Sequence, residues 1–254
     1  MINSYKYEIA DVAKGVRLEQ KYSVTEVAKQ TGISRETIRR IEKGLFEPRL
    51  QTIEILSSFY KVSIIEIYSD RLKSKVDYVY LKIMKYLIKE DYLSLISYSK
   101  SIYESEWVFK SCSVEIELLK IVLKIVIEFT INVNQRDANL NKLIHTKICE
   151  HLSIEKLNRQ KRILSMSEAI LLSLLLMTIE QKKIFDKCIK VIVEITISYS
   201  RMPLKDCALI ISEKLMKHAI YQCCLKFDVH EYAMMCIINN EMDYCCSTLD
   251  KLME

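Results

Sequence analysis

All three glycines of this 254-residue chain, Gly15, Gly32 and Gly44, fall within its first 44 positions. From residue 45 to 254 there are none, and the prolines there are Pro48 and Pro203 alone. Tight hairpins lean on glycine for their positive-φ positions, so this long stretch cannot hold many of them. It reads as helices joined by short polar turns, and the expected class is all-α. Dinucleotide-binding and phosphate-loop motifs also need glycines close to the ligand. Those functions are excluded for the larger part of the chain.

Two of the glycines punctuate the most informative segment, Ser23–Gly44, SVTEVAKQTGISRETIRRIEKG. Ser23 and Glu26 spell a capping box, the mark of a helix start. The short helix Val24–Gln30 turns Val27 and Ala28 inward. Gly32 supplies the positive φ of a tight turn. Ser34 caps the next helix through its hydroxyl. That helix runs to Lys43, and Gly44 takes the left-handed position that ends it. Ile38 and Ile41, three residues apart, share its buried face. The other face carries Arg35, Glu36, Arg39, Arg40 and Lys43, a helix-turn-helix with a basic second helix.

With their surroundings these residues resemble the lambda-repressor-like (Cro/XRE-type) DNA-binding domain over Tyr7–Tyr68, about a quarter of the chain. The readable helices are Glu8–Gln20, Val24–Gln30, Arg35–Lys43, Leu50–Tyr60 and Ile64–Tyr68, with Pro48 in the loop before the fourth. The resemblance implies that Ala28 is the small residue packing the second helix on the third. It also implies that Arg17 pairs with Glu42, making Glu42 structural. Carried over position by position, Arg35, Glu36 and Arg40 fall where the family reads base edges. Arginine can donate two bonds to guanine O6 and N7, and a carboxylate can accept from cytosine N4. Ser34, Thr37, Arg39, Lys43 and Arg49 fall where phosphates are touched, which positions the protein without specifying sequence. One departure is Val24, where the family often has a Gln that contacts the DNA backbone. Without that contact, affinity leans on the basic third helix or on dimerisation.

The net charge of +5 is unevenly spread. Residues 1–70 have 11 Lys and Arg against 10 Asp and Glu, residues 71–202 have 22 against 15, and residues 203–254 have 5 against 8. The DNA-binding segment is therefore basic only locally, through its third helix. The positive middle reads as solvated lysines, with DNA proximity or an acidic ligand as the alternative. Nine cysteines and a polar N-terminus without an apolar signal segment point to free thiols and a cytoplasmic protein. The longest apolar stretch, Ala169–Met177, is far short of the roughly 20 residues that span a bilayer, so no membrane partner is expected.

Tyr68–Lys75, YSDRLKSK, is the expected joint, and the helix signal can continue through it. Beyond it the reading is Lys75–Glu90, Tyr92–Glu104, Val114–Val133, Ala138–His151, Ile154–Leu164, Ser167–Glu180, Lys183–Ser200, Leu204–Leu225 and Glu231–Leu252. Segments 116–131 and 169–179, apolar nearly all round, are expected at the centre. Successive antiparallel pairs could stack into a solenoid with a concave face. The tetratricopeptide signature itself is absent, so a likeness to those repeats would be structural only. The expected organisation is a five-helix DNA-binding domain over 1–70 and a tetratricopeptide-like helical-repeat domain over 71–254 for sensing and dimerisation. This architecture resembles the Rgg/PlcR-type peptide-pheromone receptors of low-GC Gram-positive bacteria. It implies a helical domain that dimerises and holds a short signalling peptide.

Other tempting residues have plainer readings. His145 and Cys149 share a helix face but His151 leaves it, and no Cys-x-x-Cys completes a zinc set, so no metal or cofactor is expected. Cys223–Cys224 and Cys245–Cys246 read as small core residues, with a redox switch as the alternative. Tyr78, Tyr80, Tyr86, Tyr92, Tyr98 and Tyr103 could line a peptide groove, though at helical spacing they read as half-buried packing. Asn132, Asn134, Asn139 and Asn141 could bind a peptide backbone, but cluster around an expected break. No catalytic constellation stands out, so no enzyme is expected. The chain reads as a transcription regulator whose homodimer places two recognition helices about 34 Å apart on an inverted-repeat operator. The ligand-contacting residues are not identifiable from sequence. The alternatives are a ligand-independent phage or mobile-element repressor and a scaffold with a vestigial DNA-binding domain.

Overall fold

The computed structural model describes residues 4–46, 48–109, 113–152, 164–182, 184 and 207–227. All regular structure among them is helical: α1 Ser4–Glu19, α2 Val24–Thr31, α3 Arg35–Glu42, α4 Leu50–Tyr60, α5 Ile64–Ile88, α6 Tyr92–Tyr103, α7 Glu106–Phe109, α8 Val114–Gln135, α9 Ala138–His151, α10 Met166–Thr178 and α11 Cys207–Phe227. The expected helices Ile154–Leu164, Lys183–Ser200 and Glu231–Leu252 lie largely or wholly outside the described residues, as do Cys245 and Cys246. The chain forms two compact units, Met1–Val76 with Glu104–Glu117, and Asp77–Tyr103 with Leu118–Glu254.

In the first unit α1 packs on α3, α4 and α7, and α2 packs on α3 and α4. Its core is the inward face of each short helix: Ile9, Val12, Ala13 and Val16 from α1, Val27 from α2, Ile38 and Ile41 from α3, Ile53, Leu56 and Tyr60 from α4. Tyr22, Phe59 and Tyr60 form an aromatic cluster, with Phe59 centred 4.9 Å from Tyr22 and 5.0 Å from Tyr60. The Gln20 amide donates to the Tyr60 carbonyl at 2.8 Å and ties the end of α1 to the end of α4.

The sequence divides Ile64–Tyr68 from Lys75–Glu90 at a polar joint through which the helix signal can continue. The structure has a single helix, α5, through the polar joint. Ile64, Tyr68, Leu72 and Val76 recur every fourth residue and are buried, while Ser69, Asp70, Arg71, Lys73, Ser74 and Lys75 between them are exposed. A lone leucine at the right spacing keeps the apolar stripe unbroken, so the stretch is an exposed helix face. One short helix was not anticipated. α7 is a single turn after α6, burying Val108 and bringing Trp107 under the Lys75 ammonium, 4.2 Å from the ring centre.

The second unit is built of helical hairpins. The α5–α6 turn is Lys89–Asp91, and the Tyr86 and Tyr98 rings lie 5.8 Å apart across it. The α8–α9 turn is Arg136–Asp137, and Lys147 pairs with Glu128 at 2.5 Å across the two helices. α10, which packs against α9 and α11, buries every residue from Ala169 to Leu176. A Ser165–Glu168 capping box starts it, and the Ser173 hydroxyl donates back to the Ala169 carbonyl at 2.8 Å. α8 was expected to be covered all round as well. It instead leaves Glu117, Leu118 and Lys124 exposed.

Candidate nucleic-acid interface

The interface begins with two caps. The Ser23 hydroxyl accepts from the Glu26 N–H at 3.2 Å, and the Glu26 carboxylate accepts from the Ser23 N–H at 2.7 Å. This reciprocal pair satisfies two helix-end donors and holds the Glu26 carboxyl below its ordinary pKa. α2 closes on Gly32, left-handed at φ 73°, whose N–H donates to the Ala28 carbonyl. The chain then re-enters helix at Ser34, whose hydroxyl accepts from the Thr37 N–H at 3.0 Å. The Ser34 and Thr37 hydroxyls also pair with each other at 2.8 Å.

α3 is held on its inner side by Ile38 and Ile41 and by one ion pair. Arg17 donates from Nε and Nη2 to the two Glu42 carboxylate oxygens at 2.6 and 2.9 Å. Its remaining arm, Nη1, donates to the Tyr22 carbonyl at 2.8 Å. Only 11% and 9% of the two side chains are exposed, so the pair sits at the edge of the core. The guanidinium pKa rises, chiefly through the Glu42 hydrogen bond. Tyr60 nearby is pushed up to about 12, by burial first and then by the Glu42 charge. Buried neighbours thus fix the rotation of α3 about its own axis.

The outer side is open. Ser34, Arg35, Glu36, Arg39, Arg40 and Lys43 are exposed, and Thr37 is half-buried. Among the described residues no hydrogen bond or ion pair engages the side chains of Arg35, Glu36, Arg39, Arg40 or Lys43. Val24 is half-buried at the start of α2. Arg49 is exposed at the N-cap of α4, where its side chain makes no capping bond. After α3, Gly44 at φ 61° turns the chain, and the Leu45 N–H returns to the Arg40 carbonyl at 2.9 Å. The Phe46 ring then lies 5.1 Å from the Arg40 guanidinium carbon. Phe46 was not singled out in the sequence. The Gly-Leu-Phe order after a basic helix was the available sign.

The tempting residues of the second unit mostly serve its own structure. The Asn132 amide donates to Asn141 at 3.2 Å, while its oxygen accepts from the Asp137 N–H at 3.0 Å. Asn141 donates in turn to the Thr178 carbonyl at 3.0 Å and to Glu180 at 2.5 Å. Both amides staple the α8–α9 turn to the end of α10. His145 and Cys149 approach at 3.8 Å, and no group able to hold a metal occurs among the described residues. Tyr80 is buried, Tyr86, Tyr92 and Tyr98 are half-buried, and Tyr78 and Tyr103 are exposed. Tyr92 and Phe129 line a cavity of about 250 Å³ with Leu176, Gln222, Cys223 and Lys226. No helix among the described residues is long and apolar enough to cross a membrane.

Residues 14–67 match the family described as helix-turn-helix. Over 70 residues, a quarter of this chain, the sequence is 37% identical to a cryptic phage CTXphi transcriptional repressor of Vibrio cholerae, RstR. The match spans 63% of that repressor's length. Among solved structures, the apo form of the competence regulator ComR from Streptococcus vestibularis aligns over 95% of this chain and 79% of its own, at 15% identity and a TM-score of 0.42. Residues 14–67, with their caps, glycine turns and exposed basic α3, are a helix-turn-helix domain of the Cro/XRE type.

Proposed function

We propose that the chain is a transcription regulator that binds double-stranded DNA sequence-specifically through α3 and acts as a homodimer on an inverted-repeat operator. The observation that carries this reading is the division of α3. One side is anchored by Ile38, Ile41 and the Arg17–Glu42 pair, while the other presents Arg35, Glu36, Arg39, Arg40 and Lys43, whose side chains make no hydrogen bond or ion pair among the described residues; Arg40 meets the Phe46 ring. Arg35, Glu36 and Arg40 read base edges, and Ser34, Thr37, Arg39, Lys43 and Arg49 meet phosphates. Selection from a random duplex pool with the full chain tests it. An enriched inverted repeat with half-sites about one turn apart is expected, and a pool without sequence enrichment defeats it. Arg39→Ala should lower the slope of affinity against salt by about 1 and leave base preference unchanged.

Residues 71–254 form the sensing and dimerising part in this reading, and the ligand is a signalling peptide. What supports that is the joining of a small DNA-binding domain to a larger helical one. The cavity beside Tyr92, Phe129 and Lys226 adds apolar walls and the Lys226 ammonium, which donates to the Ile179 carbonyl at 2.6 Å and has further N–H donors for a chain carboxylate. Anisotropy of the enriched duplex, with a small-molecule filtrate of spent host medium before and after protease treatment, decides it. A protease-sensitive shift in affinity is expected. Indifference to the filtrate favours the second reading, an autonomous repressor, which the similarity to a phage repressor over the DNA-binding segment supports.

A further inference from the structure

Resting on the reading of α3 as the base-contacting helix, we propose that Phe46 is a positioning residue that sets the Arg40 guanidinium before DNA arrives, and so a determinant of specificity at one base pair per half-site. The geometry is local and cannot easily slide. Gly44, left-handed, reverses the chain, and two hydrogen bonds lock the reversal, Gly44 N–H to the Ile41 carbonyl and Leu45 N–H to the Arg40 carbonyl, both at 2.9 Å. The second of these grips the backbone of Arg40 itself. Phe46 follows directly, half-buried, with its ring 5.1 Å from the Arg40 Cζ. Pro48 beyond it is buried.

A cation over an aromatic face is held by the ring's quadrupole, an attraction that uses none of the guanidinium's N–H donors. The donors therefore remain for guanine O6 and N7. A long arginine side chain loses rotamer freedom when it docks, and a stacked one has already lost part of it. The other basic residues of α3 have no such ring contact among the described residues. Arg40 should accordingly discriminate more sharply than an unrestrained arginine at the same place.

The test is a cycle of Phe46→Leu, Arg40→Ala and the double variant, measured on the duplex enriched by the wild-type chain and on its single-base substitutions. Leucine keeps apolar bulk and removes the π face. Phe46→Leu should weaken the best duplex about two- to fivefold, and should relax preference at the base pair that Arg40→Ala relaxes. It should do almost nothing in the Arg40→Ala background. Phe46→Tyr, which keeps the ring, should behave as wild type and guards against a leucine variant that folds poorly. Equal weakening of every duplex, or the same loss without Arg40, would overturn the proposal and make Phe46 a packing residue. Failure of the wild-type chain to select any sequence would instead sink the DNA-binding reading on which the proposal rests.

Discussion

Arg17 and Glu42 show how much a single pair decides. Their charges are nine-tenths out of water, and three guanidinium donors are used, two on the carboxylate and one on the Tyr22 carbonyl. Removing one partner leaves an uncompensated charge at the core edge. Arg17→Met should therefore destabilise the chain by roughly 3 kcal/mol in denaturant unfolding. Arg17→Met with Glu42→Met should recover most of that, since an apolar pair needs no compensation. If the double variant is as unstable as the single one, the pair holds α3 by more than charge. The polar types at 17 and 42 are visible in the sequence, but their pairing across 25 residues came only from the family likeness. Phe46 shows the reverse case. Nothing in its residue type announces a partner, because the contact is made by the turn at Gly44.

At the scale of elements, caps were the most legible feature. Ser23, Glu26, Ser34 and Gly32 act as their residue types dictate, because these signals are local and chemical. Helix ends were less legible where the chain places left-handed residues that are not glycine. Lys21, Lys61, Glu90 and Arg136 all have φ between 53° and 60° and follow helix ends at which the sequence has no glycine. At Lys61 the turn is closed by Lys61 N–H to the Ser58 carbonyl and Val62 N–H to the Ser57 carbonyl, the same scheme as at Gly44. A side chain in that conformation is strained by about 1 kcal/mol. Lys61→Gly should thus raise unfolding stability by roughly 0.5 kcal/mol, after the entropy glycine adds to the unfolded chain. Gly32→Ala should cost about 1 kcal/mol from strain alone. No atom lies within 4 Å of the added methyl. The continuity of α5 through the polar joint is legible in the spacing of Tyr68, Leu72 and Val76, which writes a buried stripe, while the polar residues between them obscure the boundary.

At the scale of the whole molecule, the absence of glycine beyond position 44 gave the all-helical class, while the internal bookkeeping of the second unit stayed hidden. Asn132 and Asn141, which the sequence places around a break with peptide binding as the alternative, are hydrogen-bonded to each other, and Asn141 also to the end of α10. Such amide networks have no sequence signature, since the bonds from Asn141 to Thr178 and Glu180 cross 37 and 39 residues. His218 is a second hidden feature. It is buried, neither ring nitrogen finds a hydrogen-bond partner among the described residues, and Glu90 Oε1 is 3.4 Å from Nε2. Burial lowers its pKa from 6.5, and the Glu90 charge opposes that only in part. The sign follows. Above pH 6.5 the ring is neutral folded or unfolded, and it does not affect stability. As pH falls below 6.5 the unfolded chain takes the proton more readily, so stability declines until the folded pKa is reached. His145, also lowered by burial, acts in the same direction. The thermal midpoint should drop between pH 7.5 and 5.5, and His218→Leu should shrink the drop; an equal drop in the variant would remove His218 as its cause.

The central claim is that α3 reads guanine in the major groove through arginine, and it can be tested one atom at a time. The enriched duplex would be rebuilt with 7-deazaguanine at each guanine in turn, which removes N7 from the major groove and leaves the minor groove and phosphates intact. Affinity should fall about fivefold or more at one or two guanines per half-site, and that loss should vanish in Arg40→Ala or Arg35→Ala. Uniform tolerance of 7-deazaguanine, with loss only when minor-groove amino groups are removed, would contradict the account.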